Sequence, residues 1–195
     1  DPIELSKRAK SAEVTEVGPL LTTQWDQGWP YSMFTPQING QHTWAGCVAT
    51  ATAQVMKYWE WPVEGTGSHS YTWYPDGAPA QELSADFEHI FEWDRMLDHY
   101  SYDGDESQEA KEAVARLMSD VGISVEMDYQ LDASGAGTLL MSKALPQYFG
   151  YEPELEVLKE WTSFGRAKDT WFWMIAKEIN MNCPVLLFVV GPAGE

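Results

Sequence analysis

The sequence predicts an α+β fold, because helix-forming patterns come first along the chain and a strand-like run follows them. Apolar residues recur at spacings of three and four from Cys47 to Trp59, as on one face of a helix. A second stripe of this kind runs from Ala110 to Val121. Near the end, the unbroken apolar run VLLFVV (185–190) predicts a buried strand. This segregation of helices from strands favours α+β over an alternating α/β arrangement.

Local signals set the expected limits of the two clearest helices. The first should close before Pro62, which cannot continue a helix. Asp105 is the expected N-cap of the second helix, with Gln108 three residues later completing a capping box. Gly122 suits the C′ position, where a left-handed conformation ends many helices.

The remaining elements are predicted with weaker signals. A helix is expected over 138–150, although Pro146 removes one backbone donor from it. Residues 86–100 mix apolar and acidic side chains and are predicted as helix-like or irregular. The other expected elements are one short strand at 69–74 within a loop over 63–84, an alternating half-buried strand at 123–129 and a glycine-rich loop at 132–138. A last helix is expected to be capped by Asp169 and to run to about Asn180.

Charge and composition exclude several classes of function. The chain has 30 acidic and 12 basic residues and a net charge of -18. It therefore lacks the basic surface that nucleic acids and anionic membranes attract, and neither is an expected partner. No apolar run approaches the roughly 18 residues of a membrane-spanning helix. No histidine has metal-ligand spacing with either cysteine, so no metal site or other cofactor is expected.

The N-terminal residues differ from the rest of the chain. Residues 1–18 hold much of the local basic charge and show no clear periodicity, so they are predicted to be a pro-segment remnant or a flexible N-terminus. Residues 19–195 are predicted to form one domain, which is within the usual size range.

Cys47 lies where a tight turn with Gly46 meets the start of the first predicted helix. The positive end of a helix dipole stabilises a thiolate, which is the nucleophilic form of cysteine. A nucleophilic cysteine also needs a base and donors for the developing oxyanion. The simpler interpretation is a small buried residue at a crowded junction, and the local pattern alone leaves both interpretations open.

Several segments, in the same order along the chain, resemble the C10 family of cysteine peptidases. They are VGPLLTTQWDQG (17–28), the segment from NGQHTWAGC to SYTW (39–73), LMSDVGISVEMDY (117–129), SGAG (134–137), YFGY (148–151) and KEINMNCPVLL (177–187). The resemblance implies a papain-like fold over residues 19–195, with a helical lobe and a β-rich lobe that is C-terminally incomplete. It also implies a secreted endopeptidase that acts on protein or peptide substrates and carries an inhibitory pro-domain in its precursor.

The resemblance also implies roles for individual residues. Cys47 would be the nucleophile, and the side-chain amide of Gln27 would join the Cys47 backbone N–H as an oxyanion donor. An amide suits this role because it is neutral and keeps its donors at any pH. The family's substrate-lining loop matches Ser134, Gly135, Ala136 and Gly137.

The chain departs from the family pattern in four respects. The family's general base is a histidine in a Gly-Gly-His-Ala motif, which would fall just after Glu195, so the chain alone is expected to be an inactive fragment. None of its own histidines (His42, His69, His89 and His99) is expected to substitute. Trp44 is bulky beside the nucleophile and is expected to narrow the cleft, and Pro146 replaces a helix former. Cys183 is expected to be a free, partly buried thiol, because a bridge to Cys47 would contradict the family geometry.

Two other functions remain as alternatives. The chain would be a non-catalytic peptide-binding module if the scaffold held peptides without cutting them. Its 10 tryptophans also suggest a glycan-binding domain. Against that function, Trp59, Trp171 and Trp173 lie in predicted helices with apolar neighbours and are predicted to belong to the core.

Overall fold

A computed structural model describes residues 16–152 and 167–188 of the chain. The chain divides into two compact units. The smaller comprises residues 1–20 and 160–185, and the larger comprises residues 21–159 and 186–195. The predicted boundary between residues 18 and 19 stays a prediction, because residues 1–15 lie outside the described part.

Helices and short antiparallel strand pairs make up the described part of the chain. In the larger unit the order is β1 (Gln37–Ile38), β2 (Gln41–His42), α1 (Cys47–Trp59), β3 (Ser68–Trp73), β4 (Gln81–Asp86), a 3₁₀ turn (Trp93–Arg95), α2 (Gln108–Ser124), a second 3₁₀ turn (Thr138–Leu140) and α3 (Met141–Phe149). The described part of the smaller unit contains α4 (Ala167–Asn180). The described strands pair only in antiparallel hairpins, which agrees with the predicted α+β class. The expected order, with helices first and strands later, is wrong, because all four described strands come before the second helix.

One β-hairpin precedes α1 and a second follows it. Strands β1 and β2 pair from Gln37 with His42, and the turn Asn39-Gly40 has positive φ at both residues, as a tight hairpin turn needs. Strands β3 and β4 pair from Ser68 with Asp86 to Trp73 with Gln81. The predicted strand at 69–74 is thus confirmed within one residue. Most of its partner lay in a predicted loop, because QELSAD is poor in β-branched residues and pairing with β3 makes it a strand.

Helix α1 forms where the periodicity predicted it. Its buried side is made of small and medium residues, so the helix packs closely: Val48, Ala49, Thr50, Thr52, Ala53 and Met56. Glu60 ends it in the left-handed conformation and donates its N–H to the last turn. Trp59, predicted to belong to the core, is 47% exposed because it comes at the end of the helix. Trp173 is 39% exposed, and the side chain of Trp171 lies outside the described residues.

Helix α2 has different limits from those predicted. Ser107, not Asp105, caps it, and its hydroxyl accepts the Ala110 N–H at 3.2 Å. Gly122 is an interior residue and not the C′ residue, since the helix continues to Ser124. The Tyr129 hydroxyl packs directly against Gly122 and leaves no room for a Cβ there. The glycine is explained by close packing and not by helix termination.

The segment after α2 is not the predicted strand. Ile123 ends up inside the helix, and the following residues form an isolated bridge between Asp128 and Gly135. The alternation itself is real, since Val125, Met127 and Tyr129 are buried while the residues between them are exposed. The alternation therefore predicted burial correctly, but this segment pairs with another only through the isolated bridge and forms no β-ladder.

The predictions for the segments after residue 138 are confirmed only in part. Helix α3 contains Pro146 and ends at Gly150, which is left-handed. Helix α4 ends at Asn180 as predicted, but Asp169 lies inside it and does not cap it. The predicted buried strand is wrong over 185–188, where Leu186, Leu187 and Phe188 are 40–67% exposed. No described strand pairs with this run, and residues 189 and 190 lie outside the described part.

The core of the larger unit is formed between α1, α2, α3 and the β3–β4 hairpin. Helix α2 is central, and its larger fully buried apolar side chains are Val114, Leu117, Met118 and Val121. Phe87, Tyr148 and Phe149 pack as an aromatic group with ring centroids 4.7–6.4 Å apart. Helix α1 packs against α2 in this core, and the candidate site lies at the first turn of α1.

Candidate active site

Cys47 is the first residue of α1, and its side chain is exposed and free of any disulfide. Gly46 precedes it with φ 92° and ψ 141°, a conformation that favours glycine. A Cβ on Gly46 would lie 2.6 Å from Met127 Sδ and 3.4 Å from Ser134 Cβ. The turn therefore needs glycine for both conformation and space. It presents an exposed thiol at the positive end of a helix dipole.

The loop that carries Gln27 is held against the turn before Cys47. The Ala45 N–H donates to the Gln27 carbonyl at 2.9 Å. Gln27 is half-buried, and its side-chain amide has no hydrogen-bond partner among the described residues. The backbone contact thus places Gln27 next to the nucleophile turn and leaves its amide available.

Two further contacts fix this loop, which we call the amide loop (residues 26–28). Asp26 Oδ1 accepts the Gly28 N–H at 2.7 Å, which closes a short side-chain turn around Gln27. The buried Thr50 hydroxyl lies 3.1 Å from the Gly46 carbonyl oxygen and 3.4 Å from that of Asp26. Thr50 therefore links the first turn of α1 to the amide loop.

The predicted substrate-lining loop begins beside the turn before Cys47, since Ser134 Cβ lies 3.4 Å from where a Cβ on Gly46 would be. Ser134 is 6% exposed, and its hydroxyl accepts the Gln130 N–H at 3.0 Å. Gly135 exchanges two backbone hydrogen bonds with Asp128, at 2.8 and 3.1 Å. These two residues are thus already engaged in holding the loop. Ala136 has no such partner in the described part of the chain, and the Gly137 carbonyl accepts from Leu140.

Trp44 joins the three parts of the candidate site. Its backbone N–H donates to the Gln130 carbonyl at 3.2 Å, and its indole N–H donates to the Leu131 carbonyl at 2.8 Å. Its ring lies over Gly28, where a Cβ would be 3.1 Å from Cζ3. The ring is nevertheless 43% exposed. The expectation that Trp44 narrows the cleft stays a prediction. Its contacts with distant loops had no signal in the sequence.

Three of the four histidines of the chain form hydrogen bonds with residues other than Cys47. The partners are Thr35 and Gln37 for His42, Glu126 and Tyr148 for His69, and Ile90 and Asp120 for His89. His99 is exposed, and no hydrogen bond joins it to another described residue. Within the described part of the chain, none of the four bonds to Cys47.

His89 and Asp120 form a partly buried pair outside the candidate site. His89 Nε2 lies 2.8 Å from Asp120 Oδ2. This hydrogen bond to the carboxylate raises the pKa of His89. Burial raises the pKa of Asp120, although the His89 hydrogen bond opposes that effect. The pair connects the segment before the first 3₁₀ turn to α2.

The described residues offer neither a metal site nor a membrane-spanning helix. They contain no group of three or more metal-ligating side chains that would hold an ion. None of their helices is long and apolar enough to cross a membrane. Cys183 is a free thiol of intermediate burial, as predicted.

Comparison with known proteins identifies the family. The model of the peptidase C10 family matches residues 25–194. This chain belongs to that family. It is 36% identical over 184 residues to streptopain of Streptococcus pyogenes, covering 87% of this chain and 45% of streptopain. It is 31% identical over 195 residues to the thiol protease/hemagglutinin PrtT of Porphyromonas gingivalis, covering 95% of this chain and 22% of PrtT.

Solved structures of interpain A from Prevotella intermedia share the fold. The active wild-type cysteine protease matches with a TM-score of 0.74 and 33% identity, over 85% of this chain and 66% of the interpain chain. A prointerpain A fragment matches with the same TM-score and 34% identity, over 85% of this chain and 52% of the other. The fold is therefore the papain-like α+β fold of C10 peptidases. The chain spans less than half the length of the curated relatives it matches.

Proposed function

We propose that this chain carries the nucleophile and the oxyanion donors of a cysteine endopeptidase. The observation that carries the proposal is that the exposed Cys47 thiol, the unpaired Gln27 amide and the Ser134–Gly137 loop come together at the start of α1. Cys47 is the first residue of the helix, so its backbone N–H has no intrahelical acceptor and is a second oxyanion donor. Membership of the C10 family supports this arrangement.

The chemistry would proceed through a covalent acyl-enzyme. The Cys47 thiolate attacks the carbonyl carbon of the peptide bond, and the oxygen takes up the negative charge between Gln27 and the Cys47 N–H. The C–N bond then breaks as the leaving amine takes a proton from a general acid. Water hydrolyses the thioester and releases the free thiol.

We propose that the proton-transfer group is not one of the four histidines of this chain. The hydrogen bonds of His42, His69 and His89 to other groups support this. The 195-residue chain by itself would then hold a nucleophile without its base and would not turn over. Such a chain would still bind peptides, which is the one point in favour of the alternative function, a non-catalytic peptide-binding module.

The resemblance to the family extends the proposal to partners and location. We expect protein or peptide substrates, an inhibitory pro-domain in the precursor, and secretion. One of the matched structures is a fragment of prointerpain A, a pro-form, which supports the pro-domain by analogy. The net charge of -18 opposes nucleic acid as a partner.

A peptidyl chloromethyl ketone tests the proposal without requiring turnover, because the thiolate displaces chloride and forms a stable thioether. We expect a reagent with a peptide portion to label Cys47 faster than chloroacetone does, and faster than it labels Cys183, as read by peptide mass mapping at pH 8.5. Gln27→Ala should slow the peptidyl reagent but not iodoacetamide. Equal labelling of the two cysteines, with no benefit from the peptide portion, would refute the proposal.

A further inference from the structure

Trp44 and Ala45, the two residues before Gly46, attach two other segments of the candidate site to the start of α1. The Trp44 N–H donates to the Gln130 carbonyl at 3.2 Å, and the Ala45 N–H donates to the Gln27 carbonyl at 2.9 Å. These bonds use the backbone alone, so they do not depend on the side chain at position 44. They fix where each segment is attached, but a segment held at one backbone atom can still turn about that point.

The side chain of Trp44 supplies a further contact on each of these segments. Its indole N–H donates at 2.8 Å to the carbonyl of Leu131, which follows Gln130. Its six-membered ring lies against Gly28, which follows Gln27, since a Cβ there would be 3.1 Å from Cζ3 and 3.9 Å from Cε3. Contacts at two neighbouring residues fix the orientation of a segment as well as its position. One side chain therefore contributes to the orientation of both segments.

Each of the two segments leads to a group that the proposed mechanism uses. Gln27, directly before Gly28, carries the amide that we assign to the oxyanion. On the other side, the Gln130 N–H donates to the buried Ser134 hydroxyl at 3.0 Å, so the segment held by Trp44 is bonded to the first residue of the Ser134–Gly137 loop. Orientation matters for such groups, because a misplacement of about 1 Å can cost on the order of 100-fold in rate.

The exposure of Trp44 does not fit a residue that serves the core alone. Trp44 is 43% exposed, whereas the neighbouring Ala45 is fully buried. We propose that Trp44 is a positioning residue, whose side chain orients the amide loop and the Ser134–Gly137 loop for a peptide that reacts at Cys47. This inference rests on the proposed peptidase function.

The test separates the reaction of a peptide at Cys47 from the reactivity of the thiol itself. A peptidyl chloromethyl ketone is reacted with the Cys183→Ser chain at pH 8.5, and its second-order rate at Cys47 is divided by the iodoacetamide rate of the same variant. Iodoacetamide has no peptide portion, so its rate reports the thiol alone. We expect Trp44→Ala to lower this ratio about tenfold, with an iodoacetamide rate that stays within about twofold.

Two further variants assign the effect to the two contacts. Benzothienylalanine in place of Trp44 keeps the shape of the ring but has sulfur instead of the N–H, so it should lower the ratio about threefold. Gly28→Ala places a Cβ against the ring and should also lower the ratio. It should have no additional effect once Trp44→Ala has removed the ring, because the two changes act through one contact.

Trp59→Ala is the matched control. Trp59 is 47% exposed, comparable to Trp44, but it comes 12 residues after Cys47 on α1, about 18 Å away. Its replacement should leave the ratio unchanged.

The outcomes separate this inference from the proposed function. If Trp44→Ala leaves the ratio unchanged while the peptidyl reagent still outpaces chloroacetone, the inference is wrong and the proposed function stands. The same holds if Trp44→Ala slows both reagents in equal proportion, which would show a purely structural role. If benzothienylalanine has no effect and Gly28→Ala acts equally with and without the ring, neither contact positions the loops and the inference is wrong. If no peptidyl reagent outpaces chloroacetone, both proposals fall.

Discussion

Gly46 shows how a single residue shapes the candidate site. Its backbone conformation is one that residues with a side chain rarely adopt, and its Cα faces Met127 and Ser134. The same turn delivers Cys47 to the helix start and brings the Ser134–Gly137 loop to within contact of it. The position of Cys47 and that of the Ser134–Gly137 loop thus both depend on the absence of a side chain at Gly46.

We expect Gly46→Ala to destabilise the protein by about 2–4 kcal/mol, because it adds backbone strain to overpacking against Met127. The matched control is Gly40→Ala. Gly40 also has a positive φ, 82°, but nothing lies within 4 Å of its added Cβ, so only strain of about 1 kcal/mol applies. Urea unfolding monitored by tryptophan fluorescence measures both. Equal losses for the two variants would show that the contact with Met127 is unimportant.

At the scale of elements, α1 is coupled to the amide loop through Thr50. Its hydroxyl is shared between the carbonyl of Gly46 and that of Asp26, so it links the helix start to the loop before Gln27. The Ala45 to Gln27 hydrogen bond acts in parallel. The oxyanion donors of the proposed mechanism come from these two elements, and their separation is set by these contacts.

Thr50→Val keeps the shape of the side chain but removes the hydroxyl, which should cost about 1 kcal/mol of stability. Because the amide loop loses one of its two links, we also expect a two- to fivefold slower reaction of Cys47 with a peptidyl chloromethyl ketone. The iodoacetamide rate should be unchanged. Thr50→Ser retains the hydroxyl and should restore the peptidyl rate. Slow reaction of the serine variant as well would indicate a packing role and contradict this account.

The pairing of His89 with Asp120 joins α2 to the segment over residues 89–92. The raised pKa of His89 means that the folded protein binds its proton more tightly than the unfolded chain does. The stabilisation is therefore fully present below the unfolded value of about 6.5, and it is lost as the pH rises through the folded value. The raised pKa of Asp120 works in the same direction, since its burial disfavours the ionised form.

We accordingly expect the free energy of unfolding of the wild-type protein to exceed that of His89→Gln most at pH 5.5–6.5, and the difference to shrink by pH 8.5. Denaturant titrations of both proteins across this range measure it. Glutamine retains a donor for Asp120 but does not titrate. A difference that stays constant with pH, or grows as the pH rises, would show that the charge of His89 does not contribute.

At the scale of the whole molecule, the sequence predicted what local patterns control. The periodicity placed α1 correctly from Cys47 to Trp59, and several motifs in the same order identified the family. The prediction from sequence failed where contacts with other segments of the chain decide the local structure. The strand β4 exists because β3 pairs with it, and position 122 is a glycine because Tyr129 packs on it, not because the helix ends there.

The residues of the candidate site could be predicted from the sequence, but their contacts could not. Family motifs point to Cys47, Gln27 and the Ser134–Gly137 loop, and the structure brings all of them together. The engagement of Ser134 and Gly135 in holding the loop could not be predicted, because it depends on contacts with Asp128 and Gln130. The contacts of Trp44 with Leu131, 87 residues away in sequence, were unpredictable for the same reason.

The most direct test of the central claim, a nucleophile held here without its base, is the pH dependence of Cys47 alkylation by iodoacetamide. It is measured on the 195-residue chain with Cys183→Ser, so that one thiol reports. We predict that the rate falls steadily with decreasing pH, because the thiolate is the reactive form and no histidine of the chain bonds to it. A rate that stays high well below pH 7 would reveal an imidazolium partner of Cys47 within the chain and contradict the account.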